Sequence, residues 1–144
     1  MGRFHEKIMG VYFDDLDAFQ ILHNARYLLL FERTLGSLWE AWGVHDQGLE
    51  AQSEHWHLVR TNRIEYTSPM RGVGKVRVRV WVGHLGRTSM VFSFRIMRLD
   101  ADEDYAIGER VVVHVGADGR PSPWSDALRK KIAPYMMTPS EGQS

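Results

Sequence analysis

Residues 11–33 read VYFDDLDAFQILHNARYLLLFER, and this stretch decides the fold because it joins the end of a strand, an acidic turn and the start of a strongly apolar helix. If the strand continues through the turn, Asp15 and Asp17 project from one face and Asp14 from the other, since side chains alternate along an extended chain. Asn24 stands where a helix N-cap belongs, its side-chain oxygen able to accept a bond from a first-turn amide. A carboxylate and a helix N-terminus thus arrive within one short segment. Attack on a carbonyl carbon needs both: a group that attacks or activates water, and N–H donors for the charge that develops on oxygen.

Beyond the turn, Tyr27, Leu28, Phe31, Leu35, Leu38, Trp39 and Trp42 recur at helical spacing and predict a helix from Asn24 to about Trp42, with Leu29 and Leu30 widening its apolar surface. Gly43 is its expected C-cap, and His45, Asp46, Gln47 and Gly48 read as a loop. On the other side of the turn, Phe4–Phe13 reads as a strand. After Gln52 the period changes to two. His57–Tyr66 carries Leu58, Ile64 and Tyr66 on one parity and stops at Ser68-Pro69. In Lys75–Val82 the valines at 76, 78, 80 and 82 alternate with Lys75, Arg77, Arg79 and Trp81, which predicts one buried and one basic face. Met90, Phe92, Phe94 and Ile96 continue the alternation, and Ile107–Val115 has Val111, Val113 and Val115 together. A short terminal helix is expected at Ser125–Ile132.

One strand, one long apolar helix and four strands joined by short turns predict an α+β domain over residues 1–137. An antiparallel five-stranded sheet should wrap around one long central helix, with residues 138–144 as a flexible tail. Such a sheet keeps two edges, so pairing of protomers, a homodimer at least, is expected.

Composition narrows the function. Lys+Arg and Asp+Glu are both 18 in 144 residues, so the chain offers no broad basic field for nucleic acid or anionic lipid. The absence of cysteine excludes disulfides, thiolate metal sites and a cysteine nucleophile, and fits a reducing compartment. MGRFHEKIMG carries charges where a signal peptide needs an apolar run, and no window approaches the roughly 18 apolar residues of a membrane span. A cytoplasmic location is expected. His55 and His57 share a strand face, but no third ligand follows at a recognisable metal spacing, so no metal is expected.

Asp15-Leu-Asp17-Ala-Phe19, then Asn24-Ala-Arg-Tyr27 and Phe31-Glu32-Arg33, carry a resemblance. In these residues the chain resembles the hotdog-fold acyl-CoA thioesterases related to 4-hydroxybenzoyl-CoA thioesterase. Tyr66-Thr-Ser-Pro69, the basic alternating strand and Gly86-Arg-Thr-Ser89 follow in the family's order, so that the likeness spans roughly Glu6 to Val115. It implies a hotdog subunit in a homodimer or homotetramer, active sites at subunit interfaces, and no metal or cofactor beyond the coenzyme A of the substrate. It also implies Asp17 as the catalytic carboxylate and the backbone amide near Asn24 as the group that polarises the thioester carbonyl. Gln20 stands where the family commonly has Gly; if that position takes a positive φ, Gln20 strains or reshapes the loop.

The expected activity is hydrolysis of an acyl thioester on CoA or on an acyl-carrier protein, with Asp17 as nucleophile or general base. Asp17 also has the character of a turn-capping Asp, and Asp15 is expected to tie the turn. Glu32 is the reserve carboxylate. His23 can contact substrate or water, or cap the helix. Arg87, beside Ser89, is a candidate for CoA phosphates, and Ser89, Tyr27 and Phe19 are candidate substrate contacts. Two competing readings are a hydro-lyase pairing His23 with Glu32 and a non-catalytic acyl-thioester binding protein, which Gln20 encourages.

Overall fold

The computed structural model describes residues 2–44 and 56–137. The loop expected at His45–Gly48, His55 and the tail 138–144 lie outside these residues. Strand β1 (His5–Val11) leads through a 3₁₀ turn (Phe13–Asp15) to α1 (Asn24–Ala41), followed by β2 (His57–Tyr66), β3 (Gly74–Leu85), β4 (Ser89–Arg98), β5 (Asp104–His114) and α2 (Asp126–Ile132). The strands form one sheet in the order β1-β3-β4-β5-β2, and every pairing is antiparallel. Between β1 and β2 the chain must travel from one sheet edge to the other. Helix α1 is that crossing.

The apolar stripe of α1 lies against the sheet: Tyr27, Leu30, Phe31, Leu35, Leu38 and Trp39 are buried, facing Val76, Val78, Val80 and Val82 of β3 and Met90, Phe92, Phe94 and Ile96 of β4. Phe31 stacks on Phe94 at 4.2 Å between ring centroids. Thr34, buried in the same stripe, donates its hydroxyl to Leu30 O at 3.0 Å. The helix stops where expected: Gly43 takes φ +79°, which a side chain disfavours, and its N–H and that of Val44 bond Glu40 O and Trp39 O, satisfying the last carbonyls.

The sheet does not close on α1 alone. Leu128 and Ile132 of α2, with Trp124 and Tyr135 on either side, join the same core near the C-terminal end of α1, where Trp42 meets Tyr135 edge-on at 5.6 Å. The expectation of one helix as the whole filling is amended accordingly.

Three local expectations also change. First, β1 ends at Val11 and the acidic segment is a 3₁₀ turn, so Asp15 and Asp17 are not strand neighbours on one face. Second, β2 carries a bulge between Val59 and Thr61, which reverses side-chain parity. Ile64 and Tyr66 turn toward the helix side, opposite Gly108 and Ala106, while Leu58 is left exposed. Third, in β5 the residues aligned with the core side chains of β4 are Ala106, Gly108, Arg110 and Val112. Val111 and Val113 therefore lie on the outer face. Arg110 is held on the helix side by Glu32 at 2.6 Å and Asn62 at 2.7 Å, with its guanidinium over the Phe31 ring.

The basic outer face of β3 is present but largely covered. Arg79 lies against Phe4 and pairs with Glu6, and Arg77 donates to Arg98 O and Ala101 O. Arg95, on β4, is buried beneath Asp102 and Asp104 at 2.8 and 2.7 Å. The Asp100–Asp104 turn thus folds back over its own strands.

His5 pins β1 to α1 through a 2.6 Å contact between Nε2 and Ser37 Oγ. Desolvation, with Lys7 and Arg3 nearby, holds its imidazole below the usual range. The unfolded chain therefore binds more protons than the native one just below the ordinary value of about 6.5, and stability rises with pH through that window. The denaturation midpoint is expected to fall between pH 7.5 and 5.5, and a His5→Asn variant should show a shallower fall; an equal slope in both proteins would contradict this role.

Candidate functional site

The segment between the 3₁₀ turn and α1 doubles back on itself. Leu16 and Leu22 form a bridge, Asp17 N–H donates to Ile21 O at 2.9 Å, and His23 N–H donates to Asp15 O at 2.9 Å. This closed loop brings Asp17 beside the start of the helix, a placement that extended strand geometry does not give. Asp15 serves the loop itself: one carboxylate oxygen accepts from Tyr12 N–H at 2.8 Å and the other from Arg26 at 3.4 Å.

Asp17 also caps its own turn, with Oδ1 accepting from Phe19 N–H at 2.8 Å and Ile21 N–H at 3.4 Å. Its Oδ2 has no protein partner among the described residues. The carboxylate is therefore oriented by one oxygen and available through the other.

The helix is capped one residue earlier than expected. His23, not Asn24, is the N-cap: its Nδ1 accepts from Ala25 N–H at 3.1 Å, which leaves the ring proton of a neutral imidazole on Nε2. Arg26 N–H is taken by His23 O at 2.8 Å. Asn24 is the first helical residue, and among the described residues its N–H has no acceptor. A first-turn amide with the positive end of the helix dipole behind it is left open.

Across from this loop, the chain after β2 forms a second wall. Thr67 and Ser68 N–H bond Tyr105 O at 2.9 and 3.2 Å, and Leu22 N–H bonds Met70 O at 2.8 Å. Tyr66 donates its hydroxyl to Asn24 O at 3.0 Å and meets Tyr27 edge-on at 5.1 Å. Between the walls lies a cleft of about 590 Å³, lined on one side by Asp17, Phe19, His23, Asn24 and Tyr27 and on the other by residues 66–69. Burial pushes the Tyr27 phenol above its usual range, so it remains a neutral hydroxyl at physiological pH.

The cleft thus gathers five of the residues singled out in the sequence and omits three. Glu32 lies about two and a half turns along α1 from His23, roughly 13 Å of helix rise, and is engaged with Arg110. Arg87 and Ser89 stand at the other end of β4, where Trp124 N–H bonds Arg87 O, Trp124 Nε1 bonds Ser89 O, and Arg129 bonds Gly86 O. Within one protomer they do not reach the cleft. The wall at 66–69 is the part that sequence reading left out of the site. Its signal was the Tyr66-Thr-Ser-Pro69 run, which the sequence showed as the stop of a strand and as a piece of the family likeness, not as a wall of the site.

Gln20 takes φ +63°, beside Gly72 at φ +74°, and the two segments are tied by Gly72 N–H to Gln20 O at 2.9 Å. The left-handed conformation costs a residue with a Cβ roughly 1 kcal/mol or more. Gln20→Gly is accordingly expected to raise stability by about 0.5–1 kcal/mol in denaturant titration, and a loss of stability would show that the side chain holds the loop.

A family model described as the thioesterase-like superfamily matches residues 11–132. No curated protein matches the chain. Solved structures do. A thioesterase from Thermus thermophilus complexed with coenzyme A and zinc is 26% identical, with TM-score 0.72 over 88% of this chain and 90% of that one. A 1,4-dihydroxy-2-naphthoyl-CoA thioesterase from Synechocystis is 11% identical, with TM-score 0.79 over 91% and 96%. A Staphylococcus aureus protein in complex with CoA is 12% identical, with TM-score 0.83 over 94% and 85%.

Proposed function

The chain belongs to the thioesterase-like superfamily, thioester hydrolases of the hotdog fold, and from that premise we propose that it hydrolyses an acyl-CoA thioester with Asp17 as the reacting carboxylate and the Asn24 amide as oxyanion donor. The observation that carries this reading is the pairing, in one cleft, of an oriented carboxylate with a free oxygen and a helix N-terminal N–H that has no acceptor among the described residues. The thioester carbonyl lies with its oxygen toward Asn24 N–H. Asp17 Oδ2 either attacks the carbon or takes a proton from the water that attacks it. In the first route the C–S bond breaks to release thiolate and leave an acyl–Asp17 anhydride, which water cleaves to the free acid. In the second the C–S bond breaks as the hydrated intermediate collapses, and the proton taken by Asp17 goes to the thiolate. One donor on the developing oxyanion is worth about 3 kcal/mol.

Neither route asks for a metal or a cofactor beyond the CoA of the substrate, and an acyl-carrier protein presents the same thioester. Tyr27, Tyr66 and Phe19 supply apolar walls for the group next to the carbonyl. The hydro-lyase reading loses support because His23 uses Nδ1 to cap the helix while Glu32 is held by Arg110 well away from it. The unit proposed is a homodimer or homotetramer, supported by β2, a ten-residue edge strand with Leu58 and Val59 exposed. Among the described residues no helix is long and apolar enough to cross a membrane. The test is release of free thiol from aliphatic and aromatic acyl-CoAs by the purified protein. Turnover of at least one class is expected; binding of CoA esters without release from any would favour the binding-protein reading.

A further inference from the structure

We propose that Arg71 and Arg98, with Ser68 and Tyr105, form an anion subsite at the mouth of the cleft that holds a negatively charged end of the substrate; this rests on reading the adjoining cleft as the thioester site. The chemistry is that of an oxyanion, from either a phosphate of the phosphopantetheine arm or a carboxylate at the far end of the acyl chain. A second pocket of about 280 Å³, lined by Ser68, Pro69, Arg71, Arg98 and Tyr105, shares Ser68 and Pro69 with the cleft. Whatever occupies the cleft therefore has this pocket as its neighbour.

Arg71 is fixed there by its backbone. It bridges Ile21, and the amides on either side of that bridge bond across it, Leu22 N–H to Met70 O at 2.8 Å and Gly72 N–H to Gln20 O at 2.9 Å. The ladder ties Arg71 to the same loop that carries Asp17. Its guanidinium, however, has no hydrogen-bond or ion-pair partner among the described residues. Arg98 differs: it pairs with Glu103 at 2.8 Å, reaches the Tyr105 hydroxyl at 3.4 Å, and lies over the Tyr105 ring at 5.2 Å. Glu103 is 65% exposed, so that pair faces solvent and yields readily to a better acceptor. One cation is thus part-compensated and the other has no protein partner among the described residues, and two planar forks of donors match the geometry of an oxyanion. Arg71 is exposed and Arg98 partly so, which leaves both guanidinium groups within reach of a ligand in the pocket.

The test uses the full chain and Arg71→Gln, a variant that removes no ion pair and whose melting temperature should match wild type. CoA and pantetheine are titrated by calorimetry. Thiol release is then compared for octanoyl-CoA, octanoyl-N-acetylcysteamine and the N-acetylcysteamine monothioester of octanedioic acid, the last two lacking phosphate. If the subsite takes phosphate, the variant binds CoA about tenfold more weakly while pantetheine is little changed. If it takes the acyl carboxylate, the preference for the octanedioic over the octanoyl thioester falls by a similar factor. Either effect should shrink as salt rises. Equal behaviour of variant and wild type toward every charged and neutral ligand overturns the proposal. Should no thioester be cleaved while CoA binding still depends on Arg71, the subsite stands and the hydrolytic reading falls.

Discussion

Asp17→Asn is expected to lower kcat for the best acyl-CoA by at least a hundredfold, within the roughly 10²–10⁴ range of a lost acid–base or nucleophilic group, while leaving the fold and CoA affinity close to wild type. The choice of Asn matters. The Oδ1 bonds to Phe19 and Ile21 N–H need only an acceptor, and an amide oxygen in the same position supplies it. What the variant loses is the free Oδ2, replaced by an NH₂ that neither attacks a carbonyl nor takes a proton from water. Asp17→Ala would remove the turn cap as well and confound chemistry with folding. Thiol-release kinetics beside a CoA titration separate the two: a kcat loss at unchanged affinity assigns Asp17 to the chemical step, and an unchanged kcat makes it a structural turn residue only.

The largest stability effect is expected from Phe31→Ala. Phe31 is fully buried, stacks on Phe94 and carries the Arg110 guanidinium over its ring. Truncating it opens a cavity between α1 and the middle of the sheet, where neither backbone can close the gap. The cost should be about 3–5 kcal/mol, or roughly 10–17 °C in melting temperature for a chain of this length. Because Phe31 sits one turn after Tyr27, looser seating of α1 should also move the Asn24 amide and lower kcat. A melting temperature within a few degrees of wild type would mean that the site repacks.

The chain itself made some of this legible and hid the rest for physical reasons. The alternation in β3 and β4 and the 3.6-residue stripe of α1 are periodic signals, and each matches the buried face observed. In β5 the pattern misled because the core face carries Gly108, which lies against Phe94, and Arg110, which is paired, while valines occupy the outer face. Hydrophobicity alone cannot see a buried charge whose partners come from α1 and β2. The bulge in β2 is likewise a backbone event with no side-chain signature. At the site, Asp17 and the start of α1 were legible because they lie within one short stretch. The cap fell to His23 rather than Asn24 because the loop delivers the His23 ring nitrogen to Ala25 N–H. The opposing wall meets the start of α1 through the Tyr66 hydroxyl and ring and is tied to the loop through Met70 O and Gly72 N–H, long-range contacts that local spacing does not encode.

The pairing of Asp17 with the Asn24 amide is tested by a crystal structure with a 2-oxoalkyl-CoA, a ketone in which a methylene between sulfur and carbonyl blocks cleavage. The ketone oxygen is expected about 3 Å from the Asn24 amide nitrogen, with the free oxygen of Asp17 facing the carbonyl carbon at roughly 3–3.5 Å. A ketone bound outside the cleft, with the Asn24 N–H unoccupied, would contradict that pairing.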